Sequence, residues 1–170
     1  GFYNYAHDRV HEAFYQSLDP ALRRERHQEI AERLEIESPE DLFSLAHHFA
    51  EGTDREKGFH YCKLAGEKAR STYANDEAVH FFQAALNLQK EGALDKLSLQ
   101  ETLADVYSWK GEYSKGIQIY RELLPFRKET TARALIEGKI AATTFRAGLV
   151  KESLERYEQA LKTFGLWVKP

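Results

Sequence analysis

Seven histidines and one cysteine are the side chains best suited to metal or nucleophile chemistry in this 170-residue chain. Their spacing decides which uses are open. His7 and His11 are four residues apart, which on a helix turns two imidazoles to one side. A metal would need a third ligand, and the His-Glu-x-x-His form with its general-base glutamate is absent. Helix capping and packing is the reading adopted for that pair. His47 and His48 are neighbours, so on one helix they are expected to point to different sides and not to chelate together, one of them packing against the next helices. Cys62 stands two residues from His60, again on opposite sides of a helix, a poor nucleophile–base pair. It reads as a small buried hydrophobe. Arg23, Arg24 and Arg26 form a basic run, but Glu25, Glu29 and Glu32 answer them at helical spacing, giving a solvated face rather than a phosphate site. No G-x-x-x-x-G-K-[ST] loop occurs, so no nucleotide site is expected. The expectation is a chain with no catalytic residues, no cofactor and no metal.

Composition bounds the partners. Hydrophobic residues make up 42% and charged residues 30%, the balance of a folded rather than a disordered chain. The net charge of -3 offers no basic surplus for nucleic acid. No apolar run approaches the roughly 20 residues of a membrane span, and no secretory signal is present. A single cysteine cannot form an internal disulfide, so a reducing, cytoplasmic setting is expected. There is no methionine, and GFYNYAHD opens abruptly on aromatics, which reads as a piece cut from a larger protein.

The elements that position these residues are almost all helical. Residues 2–5 suit a short aromatic strand. Helices are expected over 8–18 and, from Asp19 as cap and Pro20 at the first position, to about 36, with Leu22, Ile30, Ala31 and Leu34 inward. Ser38 is expected to cap a helix over 40–51, with Asp41 in its first turn, and Thr53–Glu56 has capping-box spacing for one running to about 72. Asn75 is expected to cap the next, to near 92. Further helices are expected over 95–110 and 112–124, with Pro125 ending or kinking the latter, then over 130–147 and 150–164.

A repeat organises the last two thirds. Leu103, Ala104, Tyr107, Gly111, Gly116, Ile117, Tyr120 and Leu124 return 37 residues later as Ile140, Ala141, Thr144, Gly148, Ser153, Leu154, Tyr157 and Leu161. The pattern stands 38 residues earlier as Ala65, Gly66, Ala69, Tyr73, Ala78, Val79, Phe82 and Leu86. Small residues let two helices approach, bulky ones fill the space between pairs, and neighbouring pairs must stack to cover their apolar faces.

LADVYSWKGEYSKGIQIYREL resembles the tetratricopeptide repeat family, with Gly116 in place of the usual alanine. Residues 134–164 match with Ser153 there, and residues 59–90 match through NDEAVHFFQAAL but carry Tyr73 at the turn glycine, so a different turn is expected. The resemblance covers about 110 residues and implies an all-α, right-handed α–α superhelix, a tetratricopeptide-like solenoid. The first third, through FYNYAHDRVHEAFYQSLDPALRRERHQEIAERLE, LAHHF and YCKLAGEKA, resembles the junction in bacterial multidomain signalling ATPases of the STAND class. His7, Asp8, Arg9, Val10, Glu12, Ala13, Tyr15, His27, Ile30, Ala31, His47 and His48 carry that likeness. It implies that residues 1–37 are the end of an ATPase or winged-helix part, with a short strand and helix left from that preceding domain. Residues 38–58 would be a transition helix, 59–164 three helix pairs and 165–170 an apolar tail.

Such repeats imply a concave face lined by the first helix of each pair. That places Lys63, Glu67 and Arg70 there, then Glu101, Asp105, Ser108 and Trp109, then Phe145 and Arg146. Trp109 reads either as an exposed binding aromatic or as cover for the next repeat. The Lys/Asn/Arg clamp that some members use on a peptide carboxylate is missing, with Asp105 where an asparagine would stand. The implied function is a non-catalytic regulatory segment of a signal-transduction ATPase that contacts protein or peptide, including other domains of its own chain. The alternative is a stand-alone adaptor with a partner peptide in the groove. No nucleic-acid or membrane partner is expected, and the apolar tail could mediate a homodimer.

Overall fold

In the computed structural model, residues 13, 15–89, 95–163 and 165 are described. The strand expected over 2–5, most of the helix expected over 8–18, and the tail beyond 165 lie outside them, as do His7 and His11. Within the described residues the regular structure is helical: α1 Pro20–Glu37, α2 Leu42–Glu51, α3 Arg55–Ser71, α4 Asn75–Leu88, α5 Asp95–Lys110, α6 Tyr113–Leu123, α7 Thr130–Arg146 and α8 Val150–Thr163. A 3-10 turn, Leu124–Phe126, follows α6 where Pro125 interrupts the α-helical ladder. No described helix is long and apolar enough to cross a membrane.

Aspartates cap α1, α2 and α3. Asp19 accepts from the backbone N–H of Ala21 and Leu22, with Pro20 at the first position, as expected. Asp41, rather than Ser38, caps α2 by accepting from Ser44 N–H at 3.2 Å, because residues 39–40 form a turn before the helix begins. Asp54, rather than Thr53, caps α3 through Glu56 and Lys57. Asn75 does not cap α4; it is the helix's first residue, and Ala74 at the cap makes no side-chain bond.

Each helix packs mainly on the one before it and the one after it. Ala31 with Leu45 and Phe49 joins α1 to α2. A larger cluster including Cys62, Ala65, Phe82 and Leu103 joins α2 to α5, and Ala104, Tyr120, Ile136 and Ile140 join α5 to α7. Burying Phe82 or Tyr120 fully contributes on the order of 1.5–3 kcal/mol each. On α1 the inward stripe is His27, Ala31 and Leu34; Leu22 and Ile30 are exposed, because the face that meets α2 follows the 27–31–34 spacing.

The repeated positions repeat in three dimensions. Gly111 and Gly148 take the left-handed conformation at φ 90° and 83°, and Tyr73 takes it too, at φ 59°. After each, a backbone N–H reaches back five residues: Ala74 to Ala69 O, Glu112 to Tyr107 O and Leu149 to Thr144 O. This is the Schellman closure of a helix. The turn at Tyr73 is therefore the same turn, made without glycine. Between paired helices the approach is equally regular. A Cβ on Gly116 would stand 3.0 Å from Ala104 O, while at the matching place Ser153 Oγ donates to Ala141 O at 2.9 Å.

Candidate functional site

The closing turns of α3, α5 and α7 converge around an open cleft of about 610 Å³. Arg70 comes from the end of α3, Ser108 and Trp109 from the end of α5, and Arg146 from the end of α7. Tyr73 and Tyr113 add rings from the turn after α3 and the start of α6. Because Trp109 and Arg146 are 37 residues apart, they occupy one edge position in successive repeats. Cations at helix C-termini sit favourably against the helix dipole, which is where Arg70 and Arg146 are placed.

Trp109 is 50% exposed and Tyr73 88% exposed. Among the described residues, no carboxylate lines the cleft. Next in sequence to the lining residues Asn75 and Tyr113, the carboxylates of Asp76 and Glu112 are bridged by Lys110, whose pKa they push up. Arg146 donates to Ser108 Oγ at 2.8 Å, and Ser108 exchanges a bond with Thr143 at 2.9 Å, so a buried hydroxyl pair fixes the guanidinium. Arg70 makes no ion pair among the described residues.

The nine residues expected along one concave face are divided. Arg70, Ser108, Trp109 and Arg146 share the cleft. Lys63 and Glu67 line a smaller pocket of about 130 Å³ with Phe59 and Asp95. Glu101 and Asp105 are held in a network between helices: Lys139 Nζ lies 2.8 Å from each, Arg127 pairs with Glu101, and Tyr120 donates to Asp105. Burial works against charge on Lys139, but the hydrogen bonds to Asp105 and Glu101 outweigh it and raise its pKa. Burial and the Asp105 carboxylate likewise raise the Tyr120 phenol. Phe145 is exposed but does not line the cleft. Ser71, Tyr73, Asn75 and Tyr113 also line the cleft and were not expected there from the sequence; a tyrosine at a turn-glycine position was the available signal for Tyr73.

A second cluster lies between α1 and α2. His27 is 8% exposed, its Nδ1 lies 2.9 Å from His48 Nδ1, and its Nε2 is 2.7 Å from the Tyr15 hydroxyl. The His47 ring stands 5.5 Å from that of His27 and 5.0 Å from that of His48, centroid to centroid. The expectation that His47 and His48 diverge is corrected: both side chains lean over the same crossing of α1. Burial, then the other imidazoles, lowers the pKa of His48. Burial, then His47 and Arg23, lowers that of His27, with Glu51 acting the other way.

Cys62 is fully buried, its thiol donating to Ala46 O, and burial followed by the Glu51 charge pushes its pKa up to about 12. That is the wrong direction for a nucleophile.

Comparison with protein-family models gives no match, and comparison with curated proteins gives none.

Proposed function

We propose that the chain is a non-catalytic, tetratricopeptide-like interaction segment of a multidomain signalling ATPase, and that its cleft holds an extended acidic peptide. The observation carrying this reading is the juxtaposition of Arg70 and Arg146 with Tyr73, Trp109 and Tyr113 in an open cleft that no carboxylate of the described residues lines. Guanidinium groups suit carboxylates, and exposed tyrosine and tryptophan supply contact area at small entropic cost. The repeated turns at Tyr73, Gly111 and Gly148 support a stacked solenoid of helix pairs. Of the residues that carry the STAND-like resemblance, Ala13, Tyr15, His27, Ile30, Ala31, His47 and His48 are described, and the hydrogen-bonded run of Tyr15, His27 and His48 is consistent with a packed junction there.

The peptide is supplied by another domain of the same chain or by a separate protein. Exposed ion pairs contribute about 0.2–1 kcal/mol each, so the two arginines set the preference for acidic peptides while the aromatic rings supply most of the contact. Fluorescence anisotropy with labelled acidic, neutral and basic peptides, each carrying one leucine and one phenylalanine, tests the reading. Selective binding of the acidic peptide, weakened about fivefold to tenfold in Arg70→Ala/Arg146→Ala with helicity retained, supports it. Equal binding of all three peptides, or none, refutes it. Sequencing the gene on both sides of this segment tests the ATPase assignment, which fails if no phosphate-loop domain is encoded upstream.

A further inference from the structure

We propose that His27, His47 and His48 form a binding site for one divalent transition-metal ion of the zinc type, clamped between α1 and α2. One ligand atom from each of the three imidazoles lies within 4.8 Å of the other two. Tetrahedral zinc with Zn–N bonds of about 2.0–2.1 Å sets its ligand nitrogens about 3.3 Å apart. The His27 and His48 Nδ1 atoms, at 2.9 Å, need to open by only a few tenths of an ångström. His47 is exposed, so its ring can swing inward without disturbing the core.

The surroundings fit the ligating state. Metal-bound histidine takes part as the neutral imidazole, and its other ring nitrogen ordinarily donates to an oxygen that fixes the ring. With Nδ1 of His27 on the ion, Nε2–H is left to donate to the Tyr15 hydroxyl already 2.7 Å away. Glu51, one turn beyond His47 on α2, adds negative charge near His27, whereas Arg23, stacked on the Tyr15 ring at 5.3 Å, opposes it. Imidazoles select zinc, copper or nickel over calcium and magnesium, which take oxygen ligands. The exposed side beside His47 leaves the fourth position to water. The ion would add a link between two helices that already meet through Ala31, Leu45 and Phe49, with Leu34 packed against them.

The test uses the whole 170-residue chain, free of any tag and stripped with chelator, titrated with Zn²⁺ against a chromophoric competitor and with Co²⁺ followed in the visible. The expected result is one ion per chain, a tetrahedral Co²⁺ band and a rise in melting temperature on adding Zn²⁺. His47→Ala, a change at an exposed position, weakens binding about tenfold or more and abolishes the thermal shift while far-ultraviolet dichroism stays the same. His7→Ala/His11→Ala and His60→Ala leave stoichiometry and affinity unchanged. Absence of stoichiometric binding overturns the proposal, as does binding that survives His47→Ala or is lost with His7→Ala/His11→Ala.

Discussion

Tyr73 adopts at φ 59° a conformation that its repeat counterparts reach as glycines, and a left-handed non-glycine residue costs about 1–2 kcal/mol. Tyr73→Gly removes that cost but gives the unfolded chain more freedom, so a net stabilisation of about 0.5–1 kcal/mol is expected. Urea denaturation measures it, and an unchanged or lower midpoint contradicts the strain. Keeping a strained, 88% exposed tyrosine at the rim of the cleft fits a residue retained for contact. Cys62 makes the opposite statement. Its thiol is buried and pushed up to about 12, so Ellman's reagent at pH 8 is expected to leave the native protein untouched and to react only as urea unfolds it. Glu35 gives the pH dependence at this scale. Hydrogen bonds from Lys57 at 2.6 Å and Tyr61 at 2.8 Å hold its carboxyl below the usual value of 4.5. A depressed folded pKa contributes stability above the unfolded pKa, lost as pH falls through the folded one. The gap in urea midpoint between wild type and Glu35→Gln should therefore be widest near neutrality and narrow progressively as pH falls below the ordinary glutamate value of 4.5. A gap that stays constant down to pH 3 contradicts the assignment.

Helix pairing depends on how closely backbones approach. A Cβ on Gly66 would fall 2.6 Å from the Phe82 ring, so Gly66→Ala forces apart α3 and α4. A loss of about 1–3 kcal/mol is expected. Gly138, inside α7 with open space where a Cβ would go, is the control, and Gly138→Ala should stabilise by about 0.5–1 kcal/mol. Thermal or urea unfolding of the two variants should move in opposite directions. Most helices were legible from periodicity, and the repeat was legible because small and bulky residues return at 37 and 38. Caps were less so: Ser38-Pro39 looks like a start, yet Asp41, three residues after Ser38, takes the role. At 73–75 a turn expected to differ is the shared one, since the backbone bonds to Ala69 and Arg70 hold tyrosine where glycine would relax. His47 and His48 were misread because adjacency on a helix sets Cα directions, while long side chains can still meet over a crossing helix.

Over the whole molecule, pairs stacked on their chain neighbours bring the ends of α3, α5 and α7 to one cleft. The sequence pointed to four of its residues through the position of first helices in the repeat. It also pointed to Glu101 and Asp105, which lie outside this cleft and pair with Lys139 and Arg127, on a helix and a turn more than twenty residues away. No local signal announces such a partner. The decisive measurement is therefore a nitrogen-15 NMR titration of the chain with the acidic peptide that binds best. The expected result is saturable shifts centred on Arg70, Tyr73, Trp109 with its indole N–H, Tyr113 and Arg146, diminished by salt. Shifts gathered instead around Lys63 and Glu67, or spread along the exposed face of α8 at Leu154 and Leu161, would contradict the cleft as the binding site.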